Sequence, residues 1–247
     1  MILNKSKRIV IKIGSSLLIK KNKINTTWVN KLSEDISKLW KNKIEIIIVT
    51  SGAIAIGCKY LKISRKNLKL KEYQAVSAIG QIELINLFKK FLSKNKIKIG
   101  QILLTLEDTE NRRRALNAKD TIENIFKLKG VPIVNENDTT ATNEIRYGDN
   151  DRLAARVAQI TSSDTLVMLS DIDGLYTKDP KKFKNAEHIS VVKTITDKIL
   201  KSASKSVTDY GSGGMITKIE AAKICMASGC RMILTKGSVN NPLSKLE

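Results

Sequence analysis

A chain of 247 residues, 42% hydrophobic and 28% charged, can bury a sizeable core in one large domain or two small ones, and this balance excludes an intrinsically disordered protein. No apolar run approaches the roughly 18 residues of a membrane-spanning helix, and three cysteines without a C-x-x-C pair beside one histidine exclude a disulfide framework or a zinc site. The net charge of +20 leaves two readings, a nucleic-acid surface or a solvated lysine bias. Lysines spread over 20–23, 62–71 and 94–98, with only 4% aromatic residues as stacking platforms, favour the bias.

The start, residues 1–14, mixes Lys5, Lys7, Arg8 and Lys12 among apolar residues. It has no signal-peptide core, so a mature cytoplasmic protein is expected. Cys58, Cys225 and Cys230 are expected to be reduced and buried. RIVIKI at 8–13 predicts a first strand that stops at Gly14-Ser15-Ser16. Residues 26–40 follow as a helix, with Trp28, Leu32, Ile36 and Leu39 at helical spacing. EIIIVT at 45–50 is a buried strand ending in Ser51-Gly52. A helical stretch over 73–92 and a strand over 99–104 come next, then a helix over 111–129 and a strand, VPIVN, over 131–135. Residues 149–159 read as a helix opened by acidic residues, which suit its positive end. TLVMLS at 165–170 is a buried strand that runs into Asp171, Gly213-Gly214 opens a helix to about residue 228, and 231–234 is a late strand. Strands alternating with helices predict an α/β fold with a mostly parallel sheet in a single domain over 1–247.

In parallel sheets ligands bind beyond the carboxyl ends of the strands. Here those ends carry Gly14-Ser15-Ser16, Ser51-Gly52-Ala53, the run 135–138 (NEND) and Ser170-Asp171. One polar strand end is an ordinary turn, but four point to a single crevice. No G-x-x-x-x-G-K-[ST], G-x-G-x-x-G or H-R-D pattern occurs, so Gly14 and the stretch 211–218 (GSGGMITK) are the candidate phosphate cradles. Lys12 lies inside an apolar strand. It either meets a buried anion or points to water from a sheet edge. Lys218 sits in the first turn of its helix, where it opposes the dipole unless an anion binds there; a solvated lysine is the other reading. Gly148-Asp149-Asn150-Asp151 could cap a helix, or could join Asn135 and Asp138 in gripping an ammonium group while Asp151 holds the lysines. A carboxylate acceptor is already ionised at pH 7, so two lysines and Mg²⁺ suffice to transfer a phosphoryl group to it without a base.

With IKIGSS at 11–16, VTSGAIA at 49–55, RALNAKDT at 114–121, VPIVNEND at 131–138, YGDNDRLAA at 147–155, SDIDGLYTKDP at 170–180 and GSGGMITKIEAA at 211–222, the chain resembles the amino acid kinase family over nearly its whole length. VTSGAIA sets it apart from relatives with three glycines after the second strand, such as N-acetylglutamate and uridylate kinases. NEND followed by GDND is similar to the branch that phosphorylates glutamate. The resemblance implies a three-layer αβα sandwich around a mostly parallel sheet of about eight strands. It implies that ATP and Mg²⁺ convert L-glutamate to L-glutamyl 5-phosphate, the first step of proline biosynthesis. Lys12 and Lys218 would neutralise the transferring phosphoryl group, and Asp151 would orient both. Ser51, Asn135, Asp138 and Asn150 would bind glutamate. Lys12, Gly14, Ser170, Asp171, Ser212, Gly213, Gly214, Met215, Ile216, Thr217 and Lys218 would hold ATP, with Mg²⁺ carried by the phosphates and no protein metal ligand.

The resemblance further implies a homo-oligomer, dimer or tetramer, and functional coupling to a glutamyl phosphate reductase. Neither nucleic acid nor membrane is an expected partner. The chain departs from the family pattern in Ser170 and Ser212, each where threonine is usual. By comparison with the family pattern a shortened tail after Gly237 is expected, and the C-terminal RNA-binding-type (PUA) domain of many members is not expected. A relative acting on carbamate, aspartate or an acetylated amino acid is the runner-up reading, against which NEND and GDND speak because they suit a free amino group. A non-catalytic nucleic-acid binder is a third, against which the retained Lys12, Asp151 and Lys218 speak.

Overall fold

The computed structural model describes residues 2–20, 23–66, 68–140, 150–180, 182–197, 199–200 and 214–246. In chain order the first elements are β1 (Arg8–Ile13), α1 (Ser15–Leu18), β2 (Ile19–Lys20), β3 (Lys23–Ile24), α2 (Thr26–Lys41) and β4 (Glu45–Thr50). They are followed by α3 (Ala53–Leu61), α4 (Leu70–Leu92), β5 (Lys98–Leu104), α5 (Leu106–Glu110), α6 (Arg112–Lys127) and β6 (Gly130–Glu136). The last are α7 (Asn150–Ile160), β7 (Thr165–Ser170), β8 (Leu175–Tyr176), β9 (His188–Ile189), α8 (Met215–Ala227) and β10 (Arg231–Lys236).

Six strands form one sheet in the order β10-β7-β1-β4-β6-β5, and every neighbouring pair is parallel. The expectation of about eight strands therefore becomes six among the described residues. The other short strands pair antiparallel, β2 with β3 and β8 with β9, apart from the sheet. The chain builds outward from β1 on one side through β4, then returns to place β7 on the other. β1 thus lies at the reversal of strand order, where a crevice opens beyond the carboxyl ends.

The apolar strands are covered on both faces, as parallel sheets require. Ile9, Ile11 and Ile13 of β1 join Ile46, Ile48, Val167 and Leu169 against Trp28, Leu32 and Ile36 of α2 and Leu84 and Phe88 of α4. Val10, Ile47, Val49, Leu166 and Met168 face the opposite layer, packing with Ile122 of α6, Leu153 and Val157 of α7 and Ala221 of α8. Side chains alternate along a strand, so Lys12 shares the face of Val10 and points towards the layer of α7 and α8.

Two side chains of α2 hold the segment that follows β10. Trp28 Nε1 donates to the Gly237 carbonyl at 2.6 Å. Buried Asp35 accepts from the backbone N–H groups of Leu243 and Ser244 at 2.9 and 3.1 Å and from Asn241 Nδ2 at 3.1 Å. The segment after Gly237 is thereby anchored on α2.

Helix α3 was not expected. Its sequence AIAIGCKYL has no polar stripe to mark it, and it packs on α4 through paired glycines. A Cβ on Gly57 would stand 2.2 Å from the Val76 carbonyl oxygen, and one on Gly80 would stand 1.9 Å from the Ala53 carbonyl oxygen. Both obstacles are backbone atoms that cannot step aside. Gly80→Ala should therefore cost about 1–3 kcal/mol by overpacking, a fall of roughly 2–12 °C in Tm for a domain of this size. Thermal denaturation followed by circular dichroism measures it; an unchanged Tm would show that the two helices separate freely.

Candidate active site

Where β1 and β7 run parallel, Lys12 lies opposite Met168 and, on the other side, Val49. Its side chain reaches the first turn of α7, and Lys12 Nζ stands 2.6 Å from Asp151 Oδ1. Lys218 Nζ, from the first turn of α8, reaches Asp151 Oδ2 at 3.1 Å. Thr217 Oγ1 donates to the same oxygen at 2.9 Å. The Asp151 side chain is 0% exposed, against 12% for Lys12 and 9% for Lys218. Burial alone would push the Asp151 carboxyl up, but the two ammonium charges and their hydrogen bonds outweigh it and hold the group below the ordinary carboxylate range. Among the described residues the cluster holds two cations and one anion, with the residual exposure on the lysines.

The neighbouring residue of α7 serves a second cluster. Asn150 Nδ2 donates to the Thr50 carbonyl at the end of β4 and, at 2.9 Å, to Asn135 Oδ1 at the end of β6. Asn135 Nδ2 donates in turn to Gln81 Oε1 of α4 at 2.7 Å. One helical turn before Gln81, Ser77 Oγ donates to Asp138 Oδ2. Burial raises the Asp138 carboxyl above its usual range, and the Ser77 hydrogen bond offsets this only in part. Ser51 Oγ donates to the Ile13 carbonyl at 3.2 Å and so ties the ends of β4 and β1 together. Gly52, at φ 103°, turns the chain from β4 into α3 in a conformation that favours glycine.

On the other flank, Ser170 ends β7 buried, with its Oγ donating to Asp171 Oδ1 at 3.1 Å and its carbonyl accepting from the Gly237 N–H at 2.6 Å. Asp171 is exposed. Gly14 follows β1, and a Cβ there would lie 4.0 Å from Lys12 Nζ. Gly214 precedes α8 without a side-chain cap, and a Cβ on it would meet nothing within 4 Å among the described residues. A cavity of about 510 Å³, lined by Leu175, Ile189, Met215, Lys218, Met232 and Leu234 among others, opens beside this helix start. Thr217 Oγ1 also lies 2.9 Å from the Gly214 carbonyl oxygen, which competes with Asp151 for its one proton, and Ile216 is exposed.

The predicted residues thus gather at one edge of the sheet in two groups that meet at α7. Ser51, Asn135, Asp138 and Asn150 form one group. Gly14, Ser170, Asp171, Gly214, Met215, Ile216 and Thr217 flank the lysines on the other side. Ser212 and Gly213, like Gly148 and Asp149, lie outside the described residues. Ser77 and Gln81 were not foreseen. Their only signal is their polarity, four residues apart, on the otherwise apolar face of α4. Among the described residues no group of three or more His, Cys, Asp or Glu side chains could hold a metal ion, and no helix is long and apolar enough to cross a membrane. His188 instead meets Tyr176 edge-on, with ring centroids 5.1 Å apart.

The depressed Asp151 carboxyl sets the sign of a pH effect. Its contribution to stability is complete above the unfolded value, about pH 4, and is lost as pH falls through the lower folded value. Urea denaturation between pH 7 and 2 should show wild-type protein losing stability over that acid window more steeply than Asp151→Asn. Parallel curves would mean that the ion pairs contribute nothing.

The amino acid kinase family model matches residues 7–236. The glutamate 5-kinase of Pelagibacter ubique (strain HTCC1062) is 60% identical over 247 residues, covering 100% of this chain and 67% of the relative. That of Rhizobium johnstonii is 50% identical over 246 residues, covering 99% and 63%. The chain therefore spans 63–67% of the length of these curated relatives. Among solved structures, carbamate kinase from Giardia lamblia bound to AMP-PNP aligns with a TM-score of 0.65 at 16% identity, covering 96% of this chain and 94% of that one. UMP kinase from Ureaplasma parvum aligns at 0.62 and 19% identity, covering 97% and 94%. These two likenesses concern the fold.

Proposed function

The chain belongs to the amino acid kinase family, and we propose that it transfers the γ-phosphoryl group of ATP to the side-chain carboxylate of L-glutamate. The product is L-glutamyl 5-phosphate, and the reaction opens proline biosynthesis. The observation that carries this reading is the buried Asp151 held between Lys12 and Lys218 at 2.6 and 3.1 Å, beside a cluster of acceptors suited to an ammonium group. The names of the relatives supply the acceptor.

The side-chain carboxylate arrives ionised and needs no base. One of its oxygens forms a bond to the γ-phosphorus while the bond from that phosphorus to the β,γ-bridging oxygen breaks, and ADP leaves. The barrier is the approach of an anion to a polyphosphate. Lys12 and Lys218 meet it with positive charge that Asp151 has already oriented, so little reorganisation is needed at the moment of transfer. Asp138 and the amide oxygen of Asn150 take the substrate ammonium, and Ser51 lines the same end. Gly14, Ser170, Asp171 and residues 212–217 hold the nucleotide, whose phosphates meet the N-terminus of α8. Mg²⁺ travels with those phosphates, the usual arrangement for a cation that keeps several of its waters.

Acyl-hydroxamate formation with ATP, Mg²⁺ and hydroxylamine tests this on L-glutamate, L-aspartate and N-acetyl-L-glutamate. Product is expected with L-glutamate, and Lys12→Ala or Lys218→Ala should lower kcat on the order of a hundredfold. Product with another acceptor alone would overturn the assignment of substrate. A lysine variant with full kcat and only a higher KM for ATP would overturn the assignment of role.

The raised Asp138 carboxyl predicts a second pH effect. Protonation removes the charge that grips the ammonium group, so kcat/KM for glutamate should fall with falling pH at values above the ordinary carboxylate range. Asp138→Asn should show a higher KM for glutamate and lack that limb. A pH profile shared by variant and wild type would place the ammonium elsewhere.

A further inference from the structure

Gln81 is 7% exposed on α4, and its Nε2 is a buried donor with no hydrogen-bond partner among the described residues. The orientation of its amide is not a free choice. The Thr50 carbonyl can only accept, so Asn150 must turn Nδ2 towards it. The same Nδ2 serves Asn135 Oδ1, which leaves Asn135 Nδ2 facing Gln81. Gln81 has to answer with Oε1, and Nε2 is turned away from the chain of amides. Buried N–H groups without an acceptor are rare because leaving one unpaired costs free energy. One that persists beside a binding cluster calls for a ligand atom.

An amino acid carries two charges on its α-carbon. Acceptors for the ammonium are present in Asp138 and Asn150, and the α-carboxylate needs donors. Ser77, one turn before Gln81 on the same face of α4, already gives its proton to Asp138. We infer that Gln81 Nε2 donates to the α-carboxylate of the acceptor amino acid, making Gln81 a residue that selects for that group. The inference rests on the reading of glutamate as the acceptor. The last torsion of a glutamine side chain is broad, so the amide can tilt to meet the carboxylate while keeping Asn135.

The test compares L-glutamate with its α-amide, which keeps the side-chain carboxylate, by kcat/KM from ADP release. Wild-type protein should prefer glutamate, and Gln81→Leu should reduce that preference about tenfold or more. Gln81→Glu keeps an acceptor for Asn135 but sets a negative charge against the carboxylate, and should invert the preference. The KM for ATP should stay unchanged in both variants. The ratio within each variant does not depend on the fraction of protein folded, so a merely structural role would lower both activities and leave the ratio at its wild-type value. That result would overturn the role of Gln81 and leave the kinase reading intact. No turnover of glutamate by wild-type protein would overturn the kinase reading and this one with it.

Discussion

A carboxylate with no exposed surface, clamped between two lysines, is the constraint on which the rest depends. Asp151 could not remain ionised in that position alone, since burying an isolated charge is prohibitive. Lys12 and Lys218 repel one another, and the carboxylate between them offsets that repulsion. Each makes the others tenable, and each comes from a different element: β1, α7 and α8. The cluster therefore forms only when all three elements are docked, and its positive excess is displayed where β1 and β7 end.

The parallel sheet supplies that edge. With all six strands running the same way, Gly14, Ser51, Glu136 and Ser170 necessarily emerge on one side. Reversal of strand order at β1 then separates the loops into two flanks. Asn150 and Asp151 are adjacent in α7 yet belong to different clusters, so the first turn of this helix spans the gap between them. A shift of α7 would disturb both at once. The packing of α7 on β1, β4 and α8 through Leu153, Ala154, Val157 and Ala158 guards against that.

Much of this could be read in the residues. Lys12 stood out as a charge in RIVIKI, and alternation along the strand decides its layer. The boundaries of β1, β4 and β7 coincide with their apolar runs, because strands buried on both faces leave no room for a frayed polar end. Helix α3 was hidden because its contact face is made by Gly57 and Gly80, which bear no side chain to create a period. The expectation of about eight strands came with the family resemblance; among the described residues the sheet has six, and β2 pairs with β3 and β8 with β9 apart from it. Ser77 and Gln81 were hidden for a different reason. A serine and a glutamine on a helix are normally solvated, and only the tertiary packing of α4 against the end of β6 turns them inward.

The amide chain from Thr50 to Gln81 shows why composition is a poor guide to such a site. The basic excess of the chain is spread over its surface, and the one arginine in β1 is spent at the opposite edge. There Arg8 binds Glu45 and Glu123 at 2.6 and 2.7 Å and lies over Phe126. The described groups joined in the Asn150–Asn135–Gln81 and Ser77–Asp138 contacts are neutral amides, a hydroxyl and a carboxylate, and on the proposed reading these do the sorting. A neutral donor favours an anion less than lysine would, but it leaves the positive charge of Lys12 and Lys218 as the strongest attraction in the crevice. A substrate with two carboxylates must be seated with the right one at the lysines. On the proposed reading, weak, directional donors at the α-carbon and strong charge at the transfer site would achieve that order, whereas a cation at each end would let the substrate bind reversed.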